Sequence, residues 1–251
     1  MNPLLPFSEF IPDVEARVFS DGKVYLYGSR DECGRMDYCS SFYNVYRSDE
    51  RMERFEVFER IFAAPPGQTL YAPDCIEKDG RYYLYYCLSD GSEGVAVSNS
   101  PTGPFENLGV VCGVEKDGID PAVFVDDDGQ AYYFWGQFSL RGARLNPDMC
   151  SIDPSSVTRN ILTEEKDGFH EGASLRKWNG LYILLYTDIS RGRASCLSYA
   201  TSDSPLGPYI KRGVILDNTG CDPETWNNHG SMARIGGEWY IFYHRASQNS
   251  R

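Results

Sequence analysis

The chain has 251 residues, which is enough for one large core, and 24% of them are charged, close to the average for globular domains. The formal net charge of −12 argues against nucleic acid or an anionic membrane as a partner. No apolar run approaches membrane-spanning length, and the first residues lack the charged and long apolar regions of a signal peptide. We therefore expect a cytoplasmic protein, or a periplasmic or secreted one whose signal has been removed.

A short hairpin recurs five times along the chain. In each copy a glycine-containing turn is followed by a strand rich in alternating apolar and aromatic residues, which predicts a β-hairpin. The turn glycines are Gly22, Gly80, Gly129, Gly180 and Gly237, so successive copies are 58, 49, 51 and 57 residues apart. A period near 50 residues is typical of propeller blades, each a four-stranded sheet around a central channel. Five unrelated hairpins in a β-sandwich would not explain this even period.

The sequence therefore predicts an all-β fold in which residues 1–251 form a single five-bladed β-propeller domain. The blades are expected at roughly 8–62, 68–112, 117–163, 168–216 and 226–251. The last of these ranges is too short for four strands, so we expect an incomplete last blade with an open sheet edge. Helical periodicity is almost absent, and the one candidate segment, 47–62, fits outer strands equally well.

The five predicted blades open on similar segments. In chain order these are Pro12-Asp13, Tyr71-Ala72-Pro73-Asp74, Ile119-Asp120-Pro121, His170-Glu171-Gly172 and Asn228-His229-Gly230-Ser231. Superposing them aligns Asp13, Asp74, Asp120, Glu171 and His229. The first strand of each propeller blade lines the channel, so we expect these five side chains to converge on its axis.

Carboxylates that share one cavity raise the pKa of at least one member, through repulsion and loss of solvation. Such a cluster supplies a proton donor and a proton acceptor at the same pH, which is the pair that glycoside cleavage requires. Asp13, Asp120 and Glu171 are therefore candidate acid–base residues, although each alone could be a turn or solvated residue. Asp74 is either substrate-binding or structural. His229 is either a packed core histidine or a residue that faces the axial water or a metal.

The repeated hairpin together with these opening segments resembles glycoside hydrolase family 43. That family consists of five-bladed propeller enzymes, mostly α-L-arabinofuranosidases, β-xylosidases and arabinanases, with some galactan-active members. The resemblance covers essentially the whole chain and implies an inverting mechanism. Asp13 resembles the general base, Glu171 the general acid, and Asp120 the third carboxylate, which orients the acid and tunes its pKa. Val14 follows Asp13 where many members have proline.

The resemblance also implies residues that bind the substrate. Tyr71 stands where members often carry an aromatic platform for a sugar face, and Arg245 resembles an arginine that reaches the substrate or the central carboxylate. Trp135, on the second strand of the third hairpin, is a further substrate-binding candidate. His229 resembles the axial histidine that ligates calcium in some members, and no organic cofactor is required. The pocket-shaping loops 30–41 and 136–144 carry no motif that identifies the sugar.

We therefore expect a glycosidase that removes a terminal pentose, an α-L-arabinofuranoside or a β-D-xyloside, from plant-type polysaccharides or oligosaccharides. A galactan- or galactofuranoside-active member of the same family is one alternative. A retaining propeller that acts on fructosides typically has arginine before the third-blade aspartate, where this chain has Ile119. A non-catalytic sugar-binding propeller is the remaining alternative, although all three candidate carboxylates are present.

Overall fold

The computed structural model describes residues 2–6, 8–32, 34, 38–116, 118–224 and 228–245. The regular secondary structure of these residues is almost entirely β, with one four-residue α-helix, α1 (Glu164–Asp167), and one 3-10 turn (Pro154–Ser156). No helix in this described part is long and apolar enough to cross a membrane. The all-β class predicted from the hairpin repeat is confirmed.

Antiparallel sheets form from strands that follow one another along the chain. A hairpin repeat produces this order because each turn returns the chain beside the strand just completed. The first sheet contains β1 (Glu15–Val18), β2 (Val24–Tyr27), β3 (Phe42–Ser48) and β4 (Glu56–Ala63). The second contains β5 (Leu70–Lys78), β6 (Arg81–Leu88), β7 (Glu93–Ser98) and β8 (Glu106–Val110). Within the segment 47–62, the first two residues end β3 and residues 56–62 lie in β4, so its ordered parts are outer strands joined by a loop.

Two sheets have fewer than four strands among the described residues: the third, for which four were predicted, and the fifth, for which an incomplete sheet was predicted. The third contains β9 (Ala122–Val125), β10 (Ala131–Trp135) and β11 (Arg141–Arg144), and isolated bridges stand in place of a fourth strand. The fourth sheet is complete, with β12 (Phe169–Trp178), β13 (Leu181–Asp188), β14 (Cys196–Ser202) and β15 (Ile210–Leu216). The fifth contains β16 (Gly230–Ile235) and β17 (Glu238–Tyr243).

The first strands of the sheets contact one another in a ring, which gives the β-propeller arrangement. β1 contacts β5 and β16, β5 contacts β9, and β12 contacts β9 and β16. Buried, largely aromatic clusters fill the spaces between neighbouring sheets. Tyr27 and Leu84 share the cluster between the first two sheets, and Tyr85 and Tyr133 share the next. The tyrosine-rich second strands of the hairpins therefore supply much of the core.

A buried network of ion pairs joins four of these inner strands. Arg17 on β1 donates to both carboxylate oxygens of Asp74 on β5, from Nη2 at 2.7 and 2.6 Å, and to the carbonyl of Val123 on β9 at 2.8 Å. Arg176 on β12 donates to Glu15 on β1. We call Glu15, Arg17, Asp74 and Arg176 the axial ion-pair network. Buried charges of this kind are tolerated only when each is paired, so the network fixes how the inner strands meet.

Candidate active site

Three of the predicted carboxylates occupy the same place in their repeats. Asp13, Asp120 and Glu171 each lie nine residues before the turn glycine of their hairpin. The backbone there is left-handed or adjoins a left-handed residue, with φ of 58° at Asp13, 57° at Asp120 and 68° at Gly172. Among residues with a side chain, aspartate and asparagine tolerate this conformation best. Left-handed backbone recurs at one end of three inner strands, at a residue with a side chain in two of them, and marks this end of the channel as the candidate site.

Asp13 is held by a serine and two histidines. Ser29 Oγ donates to Asp13 Oδ2 at 2.6 Å, while Asp13 Oδ1 lies 3.4 Å from His229 Nδ1 and 3.8 Å from His244 Nδ1. The Asp13 amide donates to His244 Nδ1 at 3.2 Å, so a neutral His244 carries its proton on Nε2. Burial lowers the pKa of His244, and His229 lowers it further against the opposing effect of Asp13. His244 is therefore a neutral partner of Asp13.

Asp120 is the most buried carboxylate of the three, at 7% exposure. Its Oδ2 has no hydrogen-bond partner among the described residues and lies 3.7 Å from His229 Nδ1. Burial raises the pKa of Asp120 to about 8; Glu171 and Asp13 add to this rise, and His229 opposes it. The carboxylate cluster thus contains a group that is protonated near neutral pH, and the structure assigns that raised pKa to Asp120.

Glu171 is positioned by a glutamine from a loop. Gln137 Nε2, just beyond β10, donates to Glu171 Oε2 at 2.8 Å. His170 Nε2 lies 4.0 Å from the same oxygen, and His170 Nδ1 lies 2.6 Å from Glu164 Oε2 on α1. Gln137 falls in the loop 136–144, for which the sequence supplied no motif. Only its position directly after the third hairpin could have suggested a role.

His229 lies between the carboxylates and is packed against bare backbone. A Cβ atom on Gly172 would lie 2.8 Å from His229 Cδ2 and 2.9 Å from His229 Nε2, so the ring occupies the space that a side chain would need. Burial opposes protonation of His229, but Asp120, Asp13 and Glu171 outweigh it and raise its pKa. Among the described residues, Asp120, Glu171 and His229 offer ligand atoms within 4.8 Å of one another, an arrangement that could hold a metal ion.

Asp74 does not belong to this group. Tyr71 pairs with Cys87 before a register shift, and Asp74 pairs with Tyr85 after it. The fourth sheet has the same pattern, with Glu171 opposite Thr187 and Ser174 opposite Leu185. Asp74 is therefore equivalent to Ser174, and Tyr71 is equivalent to Glu171.

The surroundings of Asp74 also exclude contact with a substrate. It is 2% exposed, and its oxygens accept hydrogen bonds from Arg17 and from the Val123 amide, which is 2.7 Å away. These contacts favour the structural alternative for Asp74 over the substrate-binding one. The local Pro-Asp likeness between the first two blades misaligned the second by three residues.

The other predicted substrate-binding residues differ in how they are placed. Tyr71 is partly buried at the position equivalent to Glu171, among the residues nine positions before a turn glycine, which we call the carboxylate ring. Burial, Cys39 and Cys87 raise the pKa of its phenol. Trp135 is 1% exposed and packs in the core with Tyr85 and Tyr133, so it cannot contact a substrate. Arg245 is exposed and donates to the backbone carbonyls of Asp217 and Thr219, rather than to the central carboxylate. Of these three residues, only Tyr71 lies at the carboxylate ring.

Comparison with known proteins agrees with this geometry. Residues 2–251 match the model of the family described as Glycosyl hydrolases family 43. A Thermoclostridium stercorarium protein named xylosidase/arabinosidase is 33% identical over 291 residues, which cover 97% of this chain and 60% of that protein. A Bacteroides ovatus protein of the same name is 30% identical, covering 94% of this chain and 86% of its own length.

Solved structures give the same result. The crystal structure of a β-xylosidase/α-arabinofuranosidase from a compost microbial metagenome, in complex with xylotriose, superposes with a TM-score of 0.84 at 32% identity. The match covers 98% of this chain and 88% of that one. The propeller arrangement and the sequence likeness therefore point the same way.

Proposed function

Because this chain belongs to glycosyl hydrolases family 43, we propose that it is a glycosidase that removes a terminal pentose, an α-L-arabinofuranoside or a β-D-xyloside, from an oligosaccharide or polysaccharide. The observation that carries the proposal is the meeting of Asp13, Asp120 and Glu171, from three inner strands, around His229. The names of the relatives and the xylotriose bound to a similar structure support a pentose substrate.

Glu171 acts as the general acid. Gln137 donates to Glu171 Oε2, so that oxygen is the acceptor and the transferable proton resides on Oε1. From there the proton passes to the glycosidic oxygen as the bond to the sugar breaks. Gln137 thereby fixes which face of the carboxyl group points to the substrate.

Asp13 acts as the general base. Its Oδ2 is occupied by the Ser29 hydroxyl, which leaves Oδ1 to remove a proton from the attacking water. In an inverting enzyme this water attacks the face opposite the acid, and the two carboxyl groups are separated by roughly 6.5–9.5 Å to admit it. Neutral His244 accepts a hydrogen bond from the Asp13 amide and adds no positive charge of its own, whereas His229, whose pKa is raised, lies 3.4 Å from Oδ1.

Asp120 binds the substrate and does not transfer a proton in the reaction. With its pKa raised to about 8, it is protonated near neutral pH and its buried carboxyl group can donate a hydrogen bond to a sugar hydroxyl. A carboxylic acid kept neutral in this way would recognise an oxygen lone pair of the substrate.

A cation at the carboxylate ring is a secondary proposal. Calcium prefers six to eight oxygen ligands, and Asp120, Glu171 and His229 supply two carboxylates and one nitrogen, so water ligands would have to complete the shell. The partnerless oxygen of Asp120 fits such an ion. Such an ion would bind the deprotonated form of Asp120 and would therefore replace the hydrogen bond that its neutral form donates. We propose that no organic cofactor takes part.

For the architecture, we propose that the sheets are the blades of one five-bladed catalytic domain, with the last blade incomplete over residues 1–251. The contact ring of the five first strands, β1, β5, β9, β12 and β16, supports this count.

Single substitutions of the two proton-transfer residues, Glu171 and Asp13, test the mechanism. Glu171→Gln should lose activity steeply on substrates with poor leaving groups and much less on aryl glycosides with good ones, whereas Asp13→Asn should lose both activities. The exposed Glu165→Gln serves as the matched control and should behave like wild type. Near wild-type rates on an oligosaccharide in either variant would refute the assigned role.

The stereochemistry and the substrate are tested separately. Aryl α-L-arabinofuranoside, β-D-xyloside and β-D-galactoside are compared for turnover, and proton NMR follows the anomer that forms first. We expect turnover of a pentoside with inversion. Retention would contradict the acid–base pair proposed here, and sugar binding without turnover would favour a non-catalytic propeller.

A further inference from the structure

Phe138 combines exposure with backbone strain. Its side chain is 52% exposed, and its φ is 64°. An exposed aromatic residue alone needs no explanation, but a bulky residue at positive φ costs about 1–3 kcal/mol and persists only where its neighbours impose it. Strain of this kind is concentrated at functional sites.

Two backbone hydrogen bonds hold Phe138 in this conformation. Its amide donates to the His170 carbonyl at 2.7 Å, and its carbonyl accepts from the Glu164 amide at 2.8 Å. The turn before it is tight, since a Cβ atom on Gly136 would lie 2.5 Å from the Ser139 carbonyl oxygen. The ring is therefore presented on a fixed support that connects the third sheet, α1 and β12.

The position of that ring relates it to the general acid. Phe138 directly follows Gln137, whose amide donates to Glu171 Oε2 at 2.8 Å. Its ring meets the His170 ring edge-on, with centroids 5.2 Å apart, and His170 Nε2 is 4.0 Å from the same Glu171 oxygen. The ring contact with His170 and the hydrogen bond of the adjacent Gln137 thus place Phe138 on the Glu171 side of the carboxylate cluster.

We propose that Phe138 is a specificity residue whose ring packs against the leaving group. The inference rests on the proposed hydrolase function, because an acid must lie within hydrogen-bond reach of the oxygen that departs. The leaving group consequently lies on the side of Glu171, where Phe138 offers an exposed apolar face. An aromatic face suits the apolar C–H surface of a sugar ring or an aryl group.

The test removes the ring without changing the backbone preference. Phe138→Asn deletes the aromatic group, and asparagine tolerates positive φ. Phe138→Tyr retains the ring. Tyr240→Asn removes another exposed ring, on β17, and serves as the matched control. Each variant is assayed on a series of aryl pentosides with different leaving-group pKa values and on the corresponding pentosyl fluoride, whose leaving group has no surface to pack.

We expect Phe138→Asn to lower kcat/KM by about tenfold on every aryl pentoside and to leave the fluoride rate within about twofold of wild type. The dependence of the rate on leaving-group pKa should not change. Phe138→Tyr and Tyr240→Asn should behave like wild type.

Other outcomes overturn the inference in distinguishable ways. Equal losses on aryl pentosides and fluoride would show that Phe138 supports the fold. A steeper dependence on leaving-group pKa would show that it positions the acid instead of contacting the leaving group. Unchanged rates on the aryl pentosides would show that the ring makes no useful contact. Wild-type protein that turned over neither type of substrate would remove the proposed function itself.

Discussion

His229 packs directly against Gly172 in the candidate site. At the scale of single residues, this contact leaves no room for a side chain at position 172, because the His229 imidazole occupies the space of a Cβ atom there. Gly172 also donates its amide to Asp120, so one glycine supports two residues of the site.

Gly172→Ala should therefore impair both stability and activity. The added methyl group would lie 2.8 Å from His229 Cδ2 and 2.8 Å from Thr187 Oγ1, in a backbone with φ of 68°. Gly180→Ala is the matched control, because Gly180 has φ of 80° and open space around it. We expect the Gly172 variant to be less stable than the Gly180 variant by about 1–3 kcal/mol in urea unfolding, with most activity lost. Equal stability losses would show that His229 moves aside freely.

The raised pKa of Asp120 predicts how stability depends on pH. An ordinary aspartate titrates near 4, and Asp120 in the folded protein titrates at about 8. Between these values the folded state binds more protons than the unfolded chain, so the contribution of Asp120 to the free energy of unfolding falls as pH rises.

Asp120→Asn cannot titrate and should gain stability relative to wild type on going from pH 5 to pH 9, by about 2 kcal/mol or more. Urea unfolding at several pH values measures this difference. Asp203→Asn, at an exposed position, is the control, and its free energy of unfolding should change with pH in the same way as that of wild type. If Asp120→Asn also followed wild type, the carboxyl group would titrate normally in the fold.

The three catalytic candidates could be predicted from the sequence because they share a fixed distance from a recognisable turn. Gln137 and His244 could not, since their contacts with Glu171 and Asp13 depend on how a loop and a distant strand end fold back. Trp135 was misjudged for a different reason. Strand alternation gives two faces, but here the face bearing Trp135 packs against the neighbouring sheet.

At the scale of the element, register shifts in β5 and β12 decide which residues reach the site. In both strands the pairing register shifts just after the residue that belongs to the carboxylate ring, which is Tyr71 in β5 and Glu171 in β12. A bulge of this kind redirects a side chain and leaves no signal in a single sequence. This is why Asp74 was aligned with the wrong residues, while the existence of the strands themselves was predicted correctly.

The axial ion-pair network predicts a large cost for losing one partner. Asp74→Asn removes the bidentate counter-ion of the buried Arg17, which then keeps only Glu15 at 3.3 Å, and should reduce stability by about 3–5 kcal/mol. The double variant Arg17→Met/Asp74→Leu should recover much of this loss, because neither charge remains unpaired. Urea unfolding measures both.

The folded fraction of Asp74→Asn should keep the wild-type KM. A selective rise in KM at full stability would restore the substrate-binding role that the contacts of Asp74 argue against.

At the scale of the whole molecule, the ring of first strands explains how distant carboxylates meet. Asp13 and Glu171 are separated by most of the chain, yet each inner strand delivers its ring residue to the same end of the channel. The period and the shared turn were sufficient to predict this convergence. The number of strands in each sheet was not, because the third sheet replaces its fourth strand with isolated bridges whose sequence has no alternation.

The left-handed conformation at the ring has one more consequence. Asn228 lies nine residues before Gly237, at the place that Asp13 and Asp120 hold in their repeats, and its φ is 63°. Aspartate and asparagine both tolerate this left-handed main-chain conformation. Their side chains have nearly the same shape, but aspartate has an ionisable carboxyl group where asparagine has a neutral amide. In a repeat architecture of this type, a single substitution between aspartate and asparagine at one of these equivalent positions can thus add or remove a negative charge. The electrostatics of the channel can change in this way while the backbone conformation stays the same.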